Sequence, residues 1–157
     1  MTLASTSVSI RELGPDAAGA LRELHAGLDE RDTYFRFFEA APKNLGKVAA
    51  AIAKNDPTHC AVGAFIDGRL VGVANFVALA QPGTAEIAMV VAHEEQAHGI
   101  GTDLLHRLAD LAREHGIGRF VADVLSTNSK MMRLIIDSDF PVIAQRHDSI
   151  VRVGVQL

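Results

Sequence analysis

The chain has 157 residues, 48% of them hydrophobic and 22% charged, with 13 glycines and 5 prolines. This excludes disordered, collagen-like and low-complexity classes and leaves room for one domain of ordinary size. The formal net charge is −4, and the 15 basic residues are scattered, so the footprint of a nucleic-acid binder is missing and a basic or amine-bearing partner suits the chain better. A single cysteine, Cys60, excludes an internal disulfide framework and a multi-thiolate metal site and fits a reducing compartment. Met1–Ile10 lacks the pattern of a secretory signal, and no stretch reaches the roughly 18 apolar residues that span a bilayer. The expectation is a cytoplasmic protein with no membrane, nucleic-acid or metal partner.

Residues 1–7 are small and hydroxylic and read as a disordered end, with residues 8–157 forming a single domain. Val8–Leu13 alternates as a half-buried strand does. Gly14-Pro15-Asp16 supplies a turn and an N-cap for a helix from Ala17 to about Leu28, with Ala17, Leu21, Leu24 and Leu28 on one stripe. Asp29-Glu30-Arg31-Asp32 reads as a charged connector, and Thr33–Glu39 holds four of the eight aromatic residues. A helix from about Asn44 to Lys54 stops before Asn55-Asp56-Pro57. The period then changes from 3.6 to 2: Cys60–Ile66, Asp67-Gly68 and Arg69–Leu79 form a hairpin, and Gln81-Pro82-Gly83 turns the chain into a strand over Thr84–Val91. Gly99–His115 is a strongly amphipathic helix closed by Gly116. A strand over Arg119–Leu125, a helix over Asn128–Asp137 and strands over Pro141–Ala144 and Ser149–Val155 complete an α/β (α+β) order, which predicts a mixed sheet with helices on its faces.

The segment from Thr84 to Thr102 carries the chemistry. An apolar strand runs into a polar loop, Gln96-x-x-Gly99-x-Gly101, and then into the best helix in the chain. Two glycines let backbone N–H groups approach a ligand closely, and the helix N-terminus beyond them offers unpaired donors and the positive end of a dipole, which together favour a pyrophosphate. A Walker loop is excluded because Thr102-Asp103 follows the second glycine, and a Rossmann fingerprint because Leu104 stands at its third.

On these residues the sequence resembles the GNAT superfamily of acyl-CoA-dependent N-acetyltransferases, whose fingerprint is a strand, Q/R-x-x-G-x-G/A and a helix. The element order on both sides extends the resemblance to roughly residues 8–155. It implies the GNAT fold, a mixed and mostly antiparallel twisted sheet of about seven strands with helices on both faces, and acetyl-CoA as cosubstrate. It further implies that the loop from Gln96 through Ala97, His98, Gly99, Ile100 and Gly101 to Thr102 holds the pyrophosphate, and that Met89, Val90 and Val91 pair with the pantetheine arm and polarise the acetyl carbonyl. The strand over residues 119–125 would splay away to admit the thioester, and Asn128 would contact the cofactor.

Asp32-Thr-Tyr-Phe-Arg-Phe-Phe38 and Ala85-Glu-Ile-Ala-Met89 look like segments of bacterial protein-lysine acetyltransferases that modify acyl-CoA synthetases. That resemblance implies Glu86 as general base, a protein lysine as acceptor, an acyl-CoA synthetase as a candidate substrate, and a fused or associated regulatory domain. Independently, a carboxylate between Ala85 and Ile87 in an apolar strand is expected to be desolvated, with a raised pKa suited to taking a proton from an ammonium. The bland alternative is a solvated glutamate at a strand start.

The remaining candidates divide similarly. Many GNAT enzymes carry a tyrosine shortly after the asparagine, but here Ser129, Lys130, Met131 and Met132 stand there and the single tyrosine is Tyr34. Ser126 and Ser129 could donate to the departing thiolate but are explained as helix caps. His93-Glu94-Glu95-Gln96-Ala97-His98 misses zinc-protease spacing, since the fourth residue after His93 is Ala97. His25, His106 and His115 read as surface residues and Cys60 as a small core residue. Phe35 and Phe38 are expected to close the core. Tyr34 and Phe37 would line the acceptor entrance, where Asp29, Glu30, Asp32 and Glu39 attract a basic peptide, and Asn75 and Phe76 would border the groove beside Glu86. No activated nucleophile is visible, so direct attack in a ternary complex is expected. The competing readings are an acetyltransferase for a small amine or amino acid and a non-catalytic acyl-CoA sensor.

Overall fold

The structure is a computed structural model that describes residues 7–37, 42–92, 95–96 and 99–157. Most of the end read as disordered, together with Phe38, Glu39, His93, Glu94, Ala97 and His98, lies outside them. In chain order the elements are β1 (Val8–Glu12), a 3-10 turn (Pro15–Ala17), α1 (Ala18–Ala26), α2 (Glu30–Phe37), α3 (Leu45–Ile52), β2 (His59–Ile66), β3 (Arg69–Ala78) and β4 (Thr84–Val91). They continue with α4 (Ile100–Glu114), β5 (Arg119–Leu125), α5 (Ser129–Ile136), β6 (Val142–His147) and β7 (Ile150–Gln156).

The seven strands form one sheet in the order β1-β2-β3-β4-β5-β7-β6. Every neighbouring pair is antiparallel except β4–β5, which is parallel. The β2–β3 hairpin turns through Asp67 and Gly68, both left-handed at φ 51° and 78°, the backbone that a two-residue primed turn requires. Two apolar layers clamp the sheet. On one face Leu104, Leu105, Leu108 and Ala112 of α4, with Ile135 of α5, pack on Ala74, Phe76, Ile87 and Phe120. On the other face Leu21 and Leu24 of α1, with Ala49 and Ile52 of α3, pack on Ala61, Val73 and Val90. Strands β2 and β3, covered on both sides, accordingly read as apolar runs rather than as alternations.

Three local readings change. Asp16 does not cap the first helix: Pro15, with its fixed φ, opens a 3-10 turn closed by Ala17 N–H to Gly14 O at 2.9 Å, and α1 follows with no side-chain cap. The charged connector is the first turn of α2, because Asp29 Oδ1 accepts from Asp32 N at 2.7 Å and so caps it. Neither Ser126 nor Ser129 caps α5; Asn128 does, through Oδ1 accepting from Met131 N at 3.2 Å.

Candidate active site

The parallel pairing of β4 with β5 is short. Thr84, Ala85 and Glu86 pair with Arg119, Phe120 and Val121, and beyond them the strands part. This leaves the second half of β4 hydrogen-bonded to β3 alone. Alternation along the ladder decides which main-chain groups face the gap. Thr84 O accepts from Leu79 N and Ala92 N donates to Val71 O, so the even-numbered residues serve β3 while Ile87, Met89 and Val91 turn theirs toward β5. Val90 therefore does not offer its backbone to the gap as expected; its polar groups belong to the β3 ladder and its side chain to the layer under α1 and α3.

A cavity of about 670 Å³ occupies the gap, walled by β4, β5, α2, α5 and the start of α4. At its floor, the left-handed Gly99 (φ 78°) turns the chain into α4. Asp103 N makes the first α-type bond, to Gly99 O at 3.1 Å, so the N–H groups of Ile100, Gly101 and Thr102 stand ahead of the helix ladder, without a partner among the described residues. Gly99 has the freedom the loop motif suggested, but Gly101 serves a different end. It is buried, and a Cβ there would collide with Leu134 Cδ1 and lie 3.5 Å from Met89 Sδ, so this glycine lets α5 pack against α4.

Gln96 ties the site together. Its Nε2 donates to Val91 O at 2.9 Å and to Asp32 Oδ2 at 3.2 Å, while its Oε1 accepts from Lys130 Nζ at 3.1 Å. One side chain thus joins the end of β4, helix α2 and helix α5. Asn128 lines the cavity, with its Oδ1 spent on the α5 cap. Lys130 and Arg133 of α5, which the sequence gave no reason to single out, add positive charge to the same wall.

On the opposite wall, Glu86 and Ala88 share the face of β4 turned away from α4. Glu86 lines the cavity but is exposed, so the burial expected of a carboxylate in an apolar strand is absent. Helix α2 stands beside it and presents Asp29, Asp32 and Arg36 to the cavity. Arg36 Nη2 donates to Asn75 Oδ1 at 3.0 Å, and burial pulls its guanidinium down to about 10, still charged at neutral pH.

The aromatic expectations sort differently from the prediction. Phe37 lines the cavity, and so does Phe35, which was expected in the core; Tyr34 is 47% exposed and does not reach it. Asn75 does not itself line the cavity but holds Arg36, which does. Phe76, next in the strand, necessarily points the other way and is core, against Phe120 and the His115 ring. His25 is not a surface residue: it is 4% exposed, its Nδ1 lies 2.8 Å from Leu21 O, and its ring packs on Phe37 at 5.7 Å. Burial first, and then the Arg36 charge, lower it to about 4. Cys60 is buried as expected, and burial pushes its thiol up to about 11, which makes it a poor nucleophile. Arg36, Phe35 and Asp123, which also lines the cavity, were missed. The spacing of Asp29, Asp32, Thr33, Arg36 and Phe37 along one side of a helix could have revealed the first.

A parted pair of parallel strands, a helix start whose first N–H groups have no partner among the described residues, and a carboxylate at the mouth thus line one cavity. Comparison with known proteins identifies the family. Residues 22–135 match the Acetyltransferase (GNAT) family. Among solved structures, the chain is similar to the GNAT domain of S. lividans PAT, with 27% identity over 96% of this chain and 90% of that one and a TM-score of 0.86. It is also similar in fold to yncA from Salmonella typhimurium, whose structure carries acetyl-CoA (21% identity, 97% and 94% covered, TM-score 0.75). A third is the diaminobutyrate acetyltransferase EctA from Paenibacillus lautus, solved with L-2,4-diaminobutyric acid and coenzyme A (17% identity, 97% and 96% covered, TM-score 0.73). With its seven-stranded mixed sheet and the parting of β4 from β5, the chain belongs to the acetyltransferase (GNAT) family.

Proposed function

We propose that this protein transfers the acetyl group of acetyl-CoA to the ε-amine of a protein lysine by direct attack in a ternary complex. The observation that carries the reading is the gap between β4 and β5, with orphan helix N–H groups at one end and Glu86 at the other. The residues fit an acyl-CoA. The start of α4, from Gly99 to Thr102, together with Lys130 and Arg133, suits a pyrophosphate. The main-chain groups of Ile87, Met89 and Val91 suit the amides of a pantetheine arm, with Val91 O already taken by Gln96. The cavity is of ordinary size for a ligand of this kind.

Bound acetyl-CoA supplies the acetyl thioester. Glu86, open to solvent at the mouth of the gap, takes a proton from the incoming ammonium, directly or through one water, and frees the lone pair that attacks the acetyl carbon. The N–H of Met89 or Val91 donates to the acetyl oxygen as charge builds on it. The C–N bond forms as the C–S bond breaks. Coenzyme A departs as a thiolate, a fair leaving group, and the second proton of the attacking nitrogen passes to that sulfur, so that the N-acetyl amide and coenzyme A thiol are released, with Ser129 on the cavity wall as the hydroxyl available to donate to the departing sulfur. Support for a lysine acceptor comes from the two segments that resemble protein-lysine acetyltransferases, from the identity with the S. lividans PAT domain, and from Asp29 and Asp32 at the acceptor side.

The test is mass-spectrometric detection of acetylation on a panel holding an acyl-CoA synthetase, lysine peptides and small amines, beside calorimetric titration with acetyl-CoA. Acetyl-lysine on the synthetase or the peptides is expected. Acetylation of small amines alone would replace the lysine reading by a small-amine one. Binding with no acetylation would favour a sensor, and absence of binding would overturn the assignment of the gap.

A further inference from the structure

Arg36 is the feature of the site that the reaction above does not use. Its guanidinium is buried at the cavity wall, Nη2 is fixed on Asn75 Oδ1 at 3.0 Å, and Nη1 is buried with no hydrogen-bond partner among the described residues. Leaving a charged donor unsatisfied costs free energy, and such a group in a folded protein asks for the ligand that completes it. The neighbouring His25 Nε2 also has no partner among the described residues, and the two atoms are not bonded to each other.

Resting on the lysine reading, we infer that Arg36 Nη1 binds the main-chain carbonyl of the acceptor lysine residue, so that Arg36 is a specificity determinant for a lysine held within a peptide. The sheet register sets the spacing. Asn75 pairs with Ala88, and Glu86 is two residues further along the same face of β4. Diagonal neighbours of this kind have backbones about 7–8 Å apart, so the guanidinium held on Asn75 and the Glu86 carboxylate flank one stretch of the same face, on the scale of a lysine's four-carbon stem. An α-amine, whose own carbonyl is one carbon away, cannot reach both groups. Charge distinguishes a carbonyl from a carboxylate. Asp29, Asp32 and Glu86 line the same cavity and would repel a free carboxylate approaching Arg36, while a neutral C=O meets no such repulsion. The carbonyl also receives a charge-assisted hydrogen bond from a donor that Asn75 has already oriented.

The experiment compares kcat/KM at saturating acetyl-CoA for Nα-acetyl-lysine N-methylamide, free-acid Nα-acetyl-lysine and n-pentylamine, in the wild type, Arg36→Gln and Arg36→Lys. The wild type should prefer the methylamide over pentylamine by about tenfold or more, the size of one hydrogen bond to a charged group. Both variants should compress that preference to about threefold or less, chiefly through KM, with the affinity for acetyl-CoA measured by calorimetry unchanged. If Arg36→Gln does not fold, Arg36→Lys carries the test, since it keeps the charge and loses the fork. An equal loss on methylamide and pentylamine would make Arg36 only a staple for α2 and overturn the inference, as would the absence of a wild-type preference. Best turnover of the free acid would replace the carbonyl by a carboxylate. If the wild type binds acetyl-CoA yet acetylates none of the three, the lysine reading falls and this inference with it.

Discussion

The two helices that flank the cavity are held in opposite ways. Helix α4 buries eight residues along one stripe, begins at a left-handed glycine and is followed by another, Gly116. Helix α2 buries only Thr33 completely and is fixed by polar ties: Asp29 to its own first turn, Asp32 to Gln96, and Arg36 to Asn75. The α4 side of the cavity is thus secured by apolar burial, which is insensitive to detail. The α2 side is secured by a few directional bonds, each made by a residue that lines the cavity. Such a wall can be rebuilt without disturbing the core.

The contrast can be broken on its strong side first. Leu104→Ala empties a wholly buried position between α4 and the sheet and should lower stability by about 2–5 kcal/mol, read by urea unfolding. Acid probes the other side. His25, under the end of α2, titrates at about 4 in the fold against 6.5 unfolded. The unfolded chain therefore binds the extra proton first. The contribution of this group is complete above about pH 6.5 and is lost as pH falls toward 4, by roughly 3 kcal/mol at most. Urea midpoints measured from pH 7 to 4 should fall less steeply in His25→Leu than in the wild type. Gly99→Ala forces a Cβ into a left-handed turn and should lower stability by about 1–2 kcal/mol in urea unfolding; acetyl-CoA binding in calorimetry should weaken by no more than that amount, the limit reached when the free loop relaxes out of the turn. The smallest effect is expected of Gln96→Ala, which removes three partly exposed side-chain hydrogen bonds and should raise the acetyl-CoA Kd severalfold by releasing the tie between β4, α2 and α5, while lowering the unfolding free energy by no more than about 1 kcal/mol.

The same contrast explains what the sequence made legible. Periodic burial announces itself, so α4, the β2–β3 hairpin with its Asp67-Gly68 turn, and β4 were readable almost to the residue, and with them the loop that leads into α4. Polar ties leave no such trace. The acidic start of α2 read as a connector because Asp29 caps a helix with one buried residue, and Arg36 went unnoticed because its partner, Asn75, lies 39 residues away in sequence. Alternation within a strand accounts for the mixed outcome around the site: Asn75 and Phe76 cannot both face the acceptor, nor can Met89 and Val90 both turn their backbones to the gap. Glu86 was reached through the resemblance of Ala85–Met89 to protein-lysine acetyltransferases, while the burial argued from its apolar neighbours is absent, since it is exposed. Gly101 belongs to the loop motif, but its small size serves the packing of Leu134, which only the tertiary arrangement reveals.

The most direct test of the account is to compare wild type and Glu86→Gln in release of coenzyme A thiol from acetyl-CoA with a lysine acceptor, alongside calorimetric binding of acetyl-CoA. Since Glu86 is exposed and outside both apolar layers, the variant should fold and bind acetyl-CoA as the wild type does, while kcat falls by about a hundredfold or more, the scale of a lost general base. Turnover within about threefold of wild type would contradict the assignment of Glu86 and, with it, the direction in which the proton leaves the site.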